Sequence, residues 1–395
     1  MWAPHQDDPV TVEPSTGAGS VATMEHDASL PSPRVALVHD YVTQRGGAER
    51  VVLAMAAALP GAPLYTSLYE PASTYEEFGS IDIRTSPLDR VALLRRKHRL
   101  ALPLLAATFS RMHVDADVVL CSSSGWAHGA RTDGRKIVYC HSPAKWLYAP
   151  DRYFNGERPA SRRVLESVGG PLERWDRRAA GSADLYLANS TMVQGWIQDV
   201  YGIDAPVLHP PHSVDVLAPA EAVPGLEPGF LLLVSRLMPY KNVDAVVRAA
   251  ALLPSQRLVV AGTGPEEAAL RALAGPNVVF LGRVSDERLR WLYSSCVGTV
   301  SAALEDFGLT PLETAAFGKP VAVLRWGGFL DTVVEGRTGT FFDQPTPEAV
   351  ARALRDLLAT DWDADRLTAH ADQFSEGRFS HALHEILAGQ AERAA

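Results

Sequence analysis

The chain has 395 residues, 47% hydrophobic and 21% charged, and its 37 Lys and Arg against 46 Asp and Glu give a formal net charge of -9. That balance excludes a general nucleic-acid binder, whose partner is a polyanion, and the length suits two cores better than one. Three cysteines, Cys121, Cys140 and Cys296, stand far apart without metal-ligand spacing, so neither a disulfide framework nor a zinc site is expected and a reducing cytoplasm fits.

Residues 1–33 are rich in Pro, Ser, Gly and acids and lack the basic-then-apolar order of a signal peptide; they read as a disordered leader. Order begins with a buried-type strand over 34–39, a polar loop to Gly46-Gly47 and a helix over 48–59. Further strands are expected at 118–121, 136–140 and 185–188, and helices at 162–180 and 192–201. A proline-rich passage over 207–219, followed by 219–229 of mostly Ala, Pro, Glu and Gly, reads as a linker. The pattern then restarts: strands at 230–235, 258–261, 278–281, 297–303 and 320–324 alternate with helices at 243–253, 266–274, 285–295, 310–317 and 347–359. Alternation of this kind means parallel α/β sheets, here two of them, divided as 34–216 and 217–374. No apolar run reaches the roughly 18 to 20 residues that span a bilayer; the run 100–109 contains Pro103.

Candidate chemistry collects at strand ends, where open α/β folds bind ligands. Glu305 and Glu313, with seven residues between them in Glu305-Asp306-Phe307-Gly308-Leu309-Thr310-Pro311-Leu312-Glu313, bracket a strand-to-helix junction. Helix N-termini attract anions, so two acids beside one suit a ligand that carries both phosphate and sugar hydroxyls. Glu313 has a structural alternative as partner of Thr310 in a capping box, Thr310 being the N-cap and Pro311 the first helical residue. Glu305 has no such local role. Gly46-Gly47 lets backbone approach a bulky anion or makes a tight turn. Arg236 and Lys241 follow the restarted sheet's first strand, where cations neutralise a diphosphate. His141 follows the strand over 136–140, and Gly262-Thr263-Gly264 lies in another strand-to-helix loop. The dinucleotide fingerprint G-x-G-x-x-G is absent, which argues against a nicotinamide or flavin enzyme. Two D-x-D pairs, Asp115/Asp117 and Asp361/Asp363, are set aside as metal ligands because neither lies at a ligand edge. Arg90, Arg95, Arg96, Lys97 and Arg99 among Val91, Leu93, Leu94, Leu100 and Leu102 form a basic amphipathic stretch, fit for an anionic membrane surface or for a solvated helix over the sheet.

In order and spacing these motifs resemble the retaining glycosyltransferases of family 4, over most of 34–375. The resemblance implies the GT-B fold, α/β with two facing Rossmann-like doubly wound parallel-sheet domains and a cleft between them, and a nucleotide-sugar donor. It implies that Gly46 and Gly47 approach the diphosphate or sugar, that Arg236 and Lys241 hold the diphosphate, and that Gly262, Gly264 and Val284 line the donor. Glu305 then bonds sugar hydroxyls with the backbone of Phe307, Gly308, Leu309 and Thr310, Glu313 bonds the ribose, and His141 lines the reaction centre. No metal or other cofactor is implied. Val38-His39-Asp40-Tyr41, Tyr65-Thr66-Ser67-Leu68-Tyr69 and Cys140-His141-Ser142-Pro143 look more like a subgroup including GDP-mannose-dependent mannosyltransferases of polysaccharide assembly; a glycan or polyprenyl-linked acceptor is then expected, and the basic stretch adds the expectation of a cytoplasmic protein bound at the inner face of the plasma membrane. Ala144-Lys145-Trp146 and Trp326-Gly327-Gly328-Phe329 depart from the pattern. An epimerase or hydrolase on the same fold, and a non-catalytic partner subunit, are the competing expectations. By the same resemblance the final stretch, 375–395, crosses back to the first domain.

Overall fold

The computed structural model describes residues 33–153, 162–163 and 167–389. The expected leader falls almost wholly outside these residues. Two six-stranded parallel sheets carry the fold. In the first, β1 (Val35–His39), β2 (Leu64–Thr66), β3 (Ile83–Thr85), β4 (Val118–Ser123), β5 (Arg135–Cys140) and β6 (Leu185–Ala188) lie in the order β3-β2-β1-β4-β5-β6. The second repeats that order in β7 (Leu231–Val234), β8 (Leu258–Ala261), β9 (Val278–Gly282), β10 (Gly298–Ser301), β11 (Val321–Leu324) and β12 (Gly339–Phe342), arranged β12-β11-β10-β7-β8-β9. Each sheet therefore reverses direction once, between β1 and β4 and between β7 and β10. Those reversals open a crevice outside the carboxyl ends of the strands.

The central strands are apolar throughout because helices cover both faces of a parallel sheet. Leu120 and Ile137 pack on one side of the first sheet with the helix Gly47–Ala58, and Val119 and Val138 pack on the other with the helix Leu102–Arg111. The same division holds in the second sheet, where Leu231 and Val260 face one way and Leu232 and Val259 the other. Several elements escape the sequence reading, four short ones among them. The strands β2 and β3 have three residues each, too few for a period to register, and β12 begins at Gly339, where a side chain would overlap the Val321 carbonyl. The helix Phe329–Thr332 is a single turn.

The last helix, Glu376–Leu387, packs on the helix Gly47–Ala58 of the first sheet, to which Phe379, Leu383 and Ile386 contribute buried side chains. Phe379 meets Tyr139 edge-on at 6.1 Å, and Arg135 donates to the carbonyls of Ile386 and Leu387. Phe379→Ala should therefore weaken the first sheet, although Phe379 lies far from it in sequence. A loss of about 3 kcal/mol is expected from emptying such a site, read as a lower midpoint in urea unfolding.

Candidate active site

The cleft is built from loops after β1, β4, β5 and β6 on one side and β7, β8, β10 and β11 on the other. Lys241 ends the one-turn segment Pro239–Lys241 that follows β7, and Glu305 lies four residues past the end of β10, the neighbouring strand. Their side chains form an ion pair, with Lys241 buried. Burial alone would raise the Glu305 carboxyl, but Lys241, with Lys145 and Arg236 beyond it, outweighs burial and holds it below the usual carboxylate range. Arg236 is exposed in the same loop and donates to the Tyr240 hydroxyl at 3.1 Å. After Lys241 comes Asn242, the single non-glycine residue with positive φ (49°) among those described, and its amide donates to the Ala302 carbonyl at 2.9 Å. That bond ties the β7 loop to the β10 loop, so the cation and the carboxylate share one frame. Sequence reading passed over Asn242; its tolerance of the left-handed region was the available signal.

Gly262 and Gly264 have a local reason to be glycine. The β7 loop crosses directly over the β8 loop, with Leu237 N–H donating to the Thr263 carbonyl at 3.0 Å. A side chain at Gly262 (φ 137°) would overlap the Ser235 carbonyl, and one at Gly264 would overlap that of Leu237. Val284, half-buried, packs in the apolar cluster beside β9. Gly308 (φ 85°) turns the chain between Phe307 and the next helix, close against the Phe329 ring. Phe307 is buried and stacks on His209 at 5.6 Å.

The junction after Gly308 corrects one expectation. The helix Thr310–Ala316 has Leu309 as its N-cap, already at helical angles, with no side-chain capping bond. The left-handed turn at Gly308 starts the helix one residue early, so Thr310 sits inside it and cannot cap. The expected capping box is not formed. Glu313 instead accepts from the buried Tyr293 hydroxyl at 2.7 Å, and its charge reaches Arg50 on the facing helix. At seven residues this helix has a weak dipole, and the local positive charge comes from Lys241 and Arg236.

On the first sheet, Gly46 caps the helix Gly47–Ala58, and Gly47 faces Leu309 across the cleft, where a methyl would stand 4.0 Å from its Cδ1. A side chain at Gly46 would overlap the Glu49 carboxyl, which folds back over the loop. Burial pushes Glu49 up to about 7, against the pull of Gln44 and of Arg236 across the cleft. Asp40, raised to about 6 by burial, accepts from the backbone N–H groups of Ser124, Trp126 and Ala127 and so locks the loops of β1 and β4 together. His141 is buried with Nε2 2.7 Å from the Ser122 hydroxyl, and His39 lies on the other side of Ser122 at 3.0 Å. Burial lowers His39 to about 4, and burial with the neighbouring His39 lowers His141 to about 3. Both imidazoles are neutral near pH 7.

The two sides touch. Lys145, just after the His141 loop, pairs with Asp306; Ser190 Oγ donates to the Asp306 carbonyl at 2.7 Å; Thr191 N–H donates to Asp331 at 2.8 Å. The sequence reading gave none of these a role. Trp326-Gly327-Gly328-Phe329 also gains a physical account: side chains at Gly327 and Gly328 would overlap the backbone of Glu305 and Phe307, which this turn supports from below. Arg34 pairs with both Asp115 and Asp117 at the opposite sheet edge, and Asp363 caps the helix Ala364–Asp372.

Against this geometry, a model of glycosyltransferase family 4 matches residues 45–216, and one of glycosyl transferases group 1 matches residues 220–374. The chain belongs to glycosyltransferase family 4. Within the family it is 32% identical to a D-inositol 3-phosphate glycosyltransferase of a Nocardioides species over 50% of each chain, so it spans about half the length of that relative. It is 26% identical to the human alpha-1,3/1,6-mannosyltransferase ALG2, over 91% of this chain and 96% of the relative. Among solved structures, Anabaena Alr3699/HepE in complex with UDP-glucose superposes with a TM-score of 0.65 at 19% identity, covering 90% of this chain and 99% of that one. The family 4 chain thus has the GT-B fold.

The paired imidazoles make acid stability a test of this geometry. His39 and His141 resist protonation in the fold, so the unfolded state binds more protons once pH falls below about 6.5, and stability declines from there towards the folded values. At pH 5 each buried imidazole should cost about 2 kcal/mol relative to pH 7. Buried Asp40 and Glu49, raised to about 6 and 7, act in the opposite sense over the same interval, so the test is the difference between two proteins: the melting temperature on going from pH 7 to pH 5 should change more unfavourably in the wild type than in His141→Asn.

Proposed function

We propose that the chain transfers a hexose from a nucleotide sugar to a glycan or lipid-linked acceptor with retention at the anomeric carbon, and that the sugar is mannose carried by GDP. The contact between Lys241 and Glu305 carries this reading. In a nucleotide sugar the diphosphate and the sugar are joined directly, so a ligand cation and a hydroxyl-binding carboxylate must themselves be neighbours. Lys241 and Arg236 hold the diphosphate, Lys241 as a point charge and Arg236 by its fork. Glu305, kept ionised by that same cation, accepts from sugar hydroxyls beside the backbone of Phe307, Gly308, Leu309 and Thr310. Glu313, oriented by Tyr293, accepts from the ribose. Gly46 and Gly47 bring the opposite backbone close to the diphosphate, and Gly262, Gly264 and Val284 border the donor.

As the bond to the anomeric carbon breaks, negative charge grows on the leaving diphosphate, and fixed cations stabilise it more than they stabilise the ground state. Neutral His141, its ring held by Ser122, lines the reaction centre without adding a charge. Arg236 and Lys241 supply the positive charge in this scheme, which uses no metal or other cofactor. The acceptor enters over the same face as the donor leaves. Mannose is supported by the Cys140-His141-Ser142-Pro143 motif and by the mannosyltransferase relative. No observation favours an epimerase, a hydrolase or a non-catalytic subunit.

A lipid-linked acceptor requires approach to a membrane surface, and no described helix is long and apolar enough to cross one. The basic stretch runs through short helical pieces, Pro87–Arg90, Ala92–Arg96 and His98–Leu100, moored by His98, which stacks on Tyr41 at 4.5 Å beside the cleft. Arg95 turns inward to Glu70 at 3.5 Å. Arg90, Arg96, Lys97 and Arg99 are exposed among exposed Val91, Leu93, Leu100 and Leu104, a surface fit for the anionic cytoplasmic face of a membrane.

Glu305→Gln and Lys241→Ala should each lower kcat/KM by at least ~100-fold, as loss of a charge-stabilising group does, with the fold retained by circular dichroism. Release of GDP from GDP-mannose, compared with a panel of other nucleotide sugars, is the readout; full activity in both variants overturns the assignment. Reversing Arg90, Arg96, Lys97 and Arg99 to Glu should abolish sedimentation with anionic vesicles, since each cation contributes about 1 kcal/mol near such a surface.

A further inference from the structure

Lys145 stands outside the donor-binding set above, yet its surroundings are built to aim it. It opens the short helix Lys145–Tyr148 after the His141 loop. Behind it Trp146 stacks on Trp126 at 4.0 Å with the rings 3° from parallel, and Ala144 is fully buried against Gly125, whose φ of 121° and lack of a side chain make room for it. One turn on, the Tyr148 hydroxyl donates to the fully buried Asp176 at 2.8 Å. A surface lysine has no need of such a foundation. Its ammonium crosses the cleft to Asp306, and Ser190 from the neighbouring β6 loop reaches the same residue's carbonyl. Those two loops are joined as well, since the Asn189 amide donates to the His141 carbonyl at 3.1 Å.

Asp306 is the residue next to Glu305. The peptide from Glu305 to Phe307 is seated on one side by the Gly327-Gly328 turn, where Gly328 N–H donates to the Glu305 carbonyl at 3.1 Å, and held on the other by Lys145 and Ser190. The other carboxylate oxygen of Asp306, Oδ1, is buried without a hydrogen-bond partner, so its position rests on the Lys145 contact at Oδ2. Among the described residues its one ion pair is that with Lys145.

We propose that Lys145 is a positioning residue of the transfer: through Asp306 it sets, from the opposite half of the molecule, the orientation of the Glu305 carboxylate and of the backbone from Phe307 to Thr310. This rests on the glycosyl-transfer reading. The sugar pocket is then complete only where both halves meet, whereas the nucleotide pocket of Arg236, Lys241 and Glu313 belongs mainly to the second half. Lys145 acts on the sugar part of the donor and leaves the nucleotide part alone.

The experiment compares wild type, Lys145→Ala, Lys145→Arg, Asp306→Asn and the exchanged pair Lys145→Asp with Asp306→Lys. Two readouts are taken: kcat/KM for GDP-mannose, or for whichever nucleotide sugar the wild type turns over, and thermal-shift affinity for GDP alone. Lys145→Ala and Asp306→Asn should each lose ~10- to 100-fold in kcat/KM, the range for truncating one partner of a partly buried charge pair, while GDP affinity changes less than about twofold. Lys145→Arg and the exchanged pair should recover most of the loss. An active wild type beside an equally active Lys145→Ala overturns the proposal alone. So does a loss that weakens GDP binding and the melting temperature in proportion, which a merely structural role would give. A wild type that turns over no nucleotide sugar removes the transferase reading first.

Discussion

Two opposite charges held together at the edge of the second sheet, Lys241 and Glu305, constrain much of what surrounds them. Lys241 is buried, and a buried ammonium without a counter-ion is costly. Glu305 supplies the counter-ion and is itself kept ionised by it. The strand order then becomes a requirement: β7 and β10 must be neighbours for their loops to meet, and that adjacency exists because the sheet reverses direction between them. Asn242 takes a left-handed conformation to bond across the same junction. A cleft that supplies a fixed cation and a fixed acceptor side by side has little reorganisation left to do when charge develops.

Close backbone approach is the second constraint, and it explains residues that motif reading could only place. Gly262 and Gly264 allow the β7 loop to cross the β8 loop, so part of their necessity is internal, whatever ligand lies above them. Gly327 and Gly328 likewise let one turn lie under the peptide that carries Glu305. In the sequence these last two looked like a departure from the family pattern; in the fold they are a floor for its most informative carboxylate.

What was legible follows from how information is written in a chain. The strands β1, β6, β8 and β11, and β5 after its opening Arg135-Lys136, are mostly apolar runs between polar loops, and the helix Pro347–Ala359 has a Thr cap, a Pro start and a clear amphipathic face, so their positions could be read directly. Glu305, Lys241, Arg236 and His141 were legible as residues at strand ends, because a strand end in such a sheet is already a location. The three-residue strands β2 and β3 carry too little pattern. Pairings between distant loops carry none: nothing in Lys145 points to Asp306, nor in Tyr293 to Glu313, and only the folded register brings them together. The misread cap at Thr310 shows the same limit within a few residues. A capping-box pattern competed with a glycine turn two residues earlier, and the turn leaves Leu309 at helical angles, so Thr310 falls inside the helix.

The contacts between the two halves bear on how such a site is assembled. Asp306 takes a cation at its side chain and a hydroxyl at its carbonyl from two loops of the first sheet, and Asp331 takes the backbone and hydroxyl of Thr191 from a third position. All are polar, and the one ion pair among them, Lys145 with Asp306, is partly exposed, where such a pair contributes little net stability. Contacts between domains within a chain are polar in this way when relative motion is retained. A hydrophobic seam would hold the halves shut, whereas short-range charge pairs release when water reaches them and re-form when it is excluded. In the proposed transfer, a closing cleft lowers the effective dielectric around these pairs and around Lys241 and Arg236 together, so both the pairs and the proposed hold on a growing negative charge strengthen at once. Closure and electrostatic stabilisation draw on a single physical change.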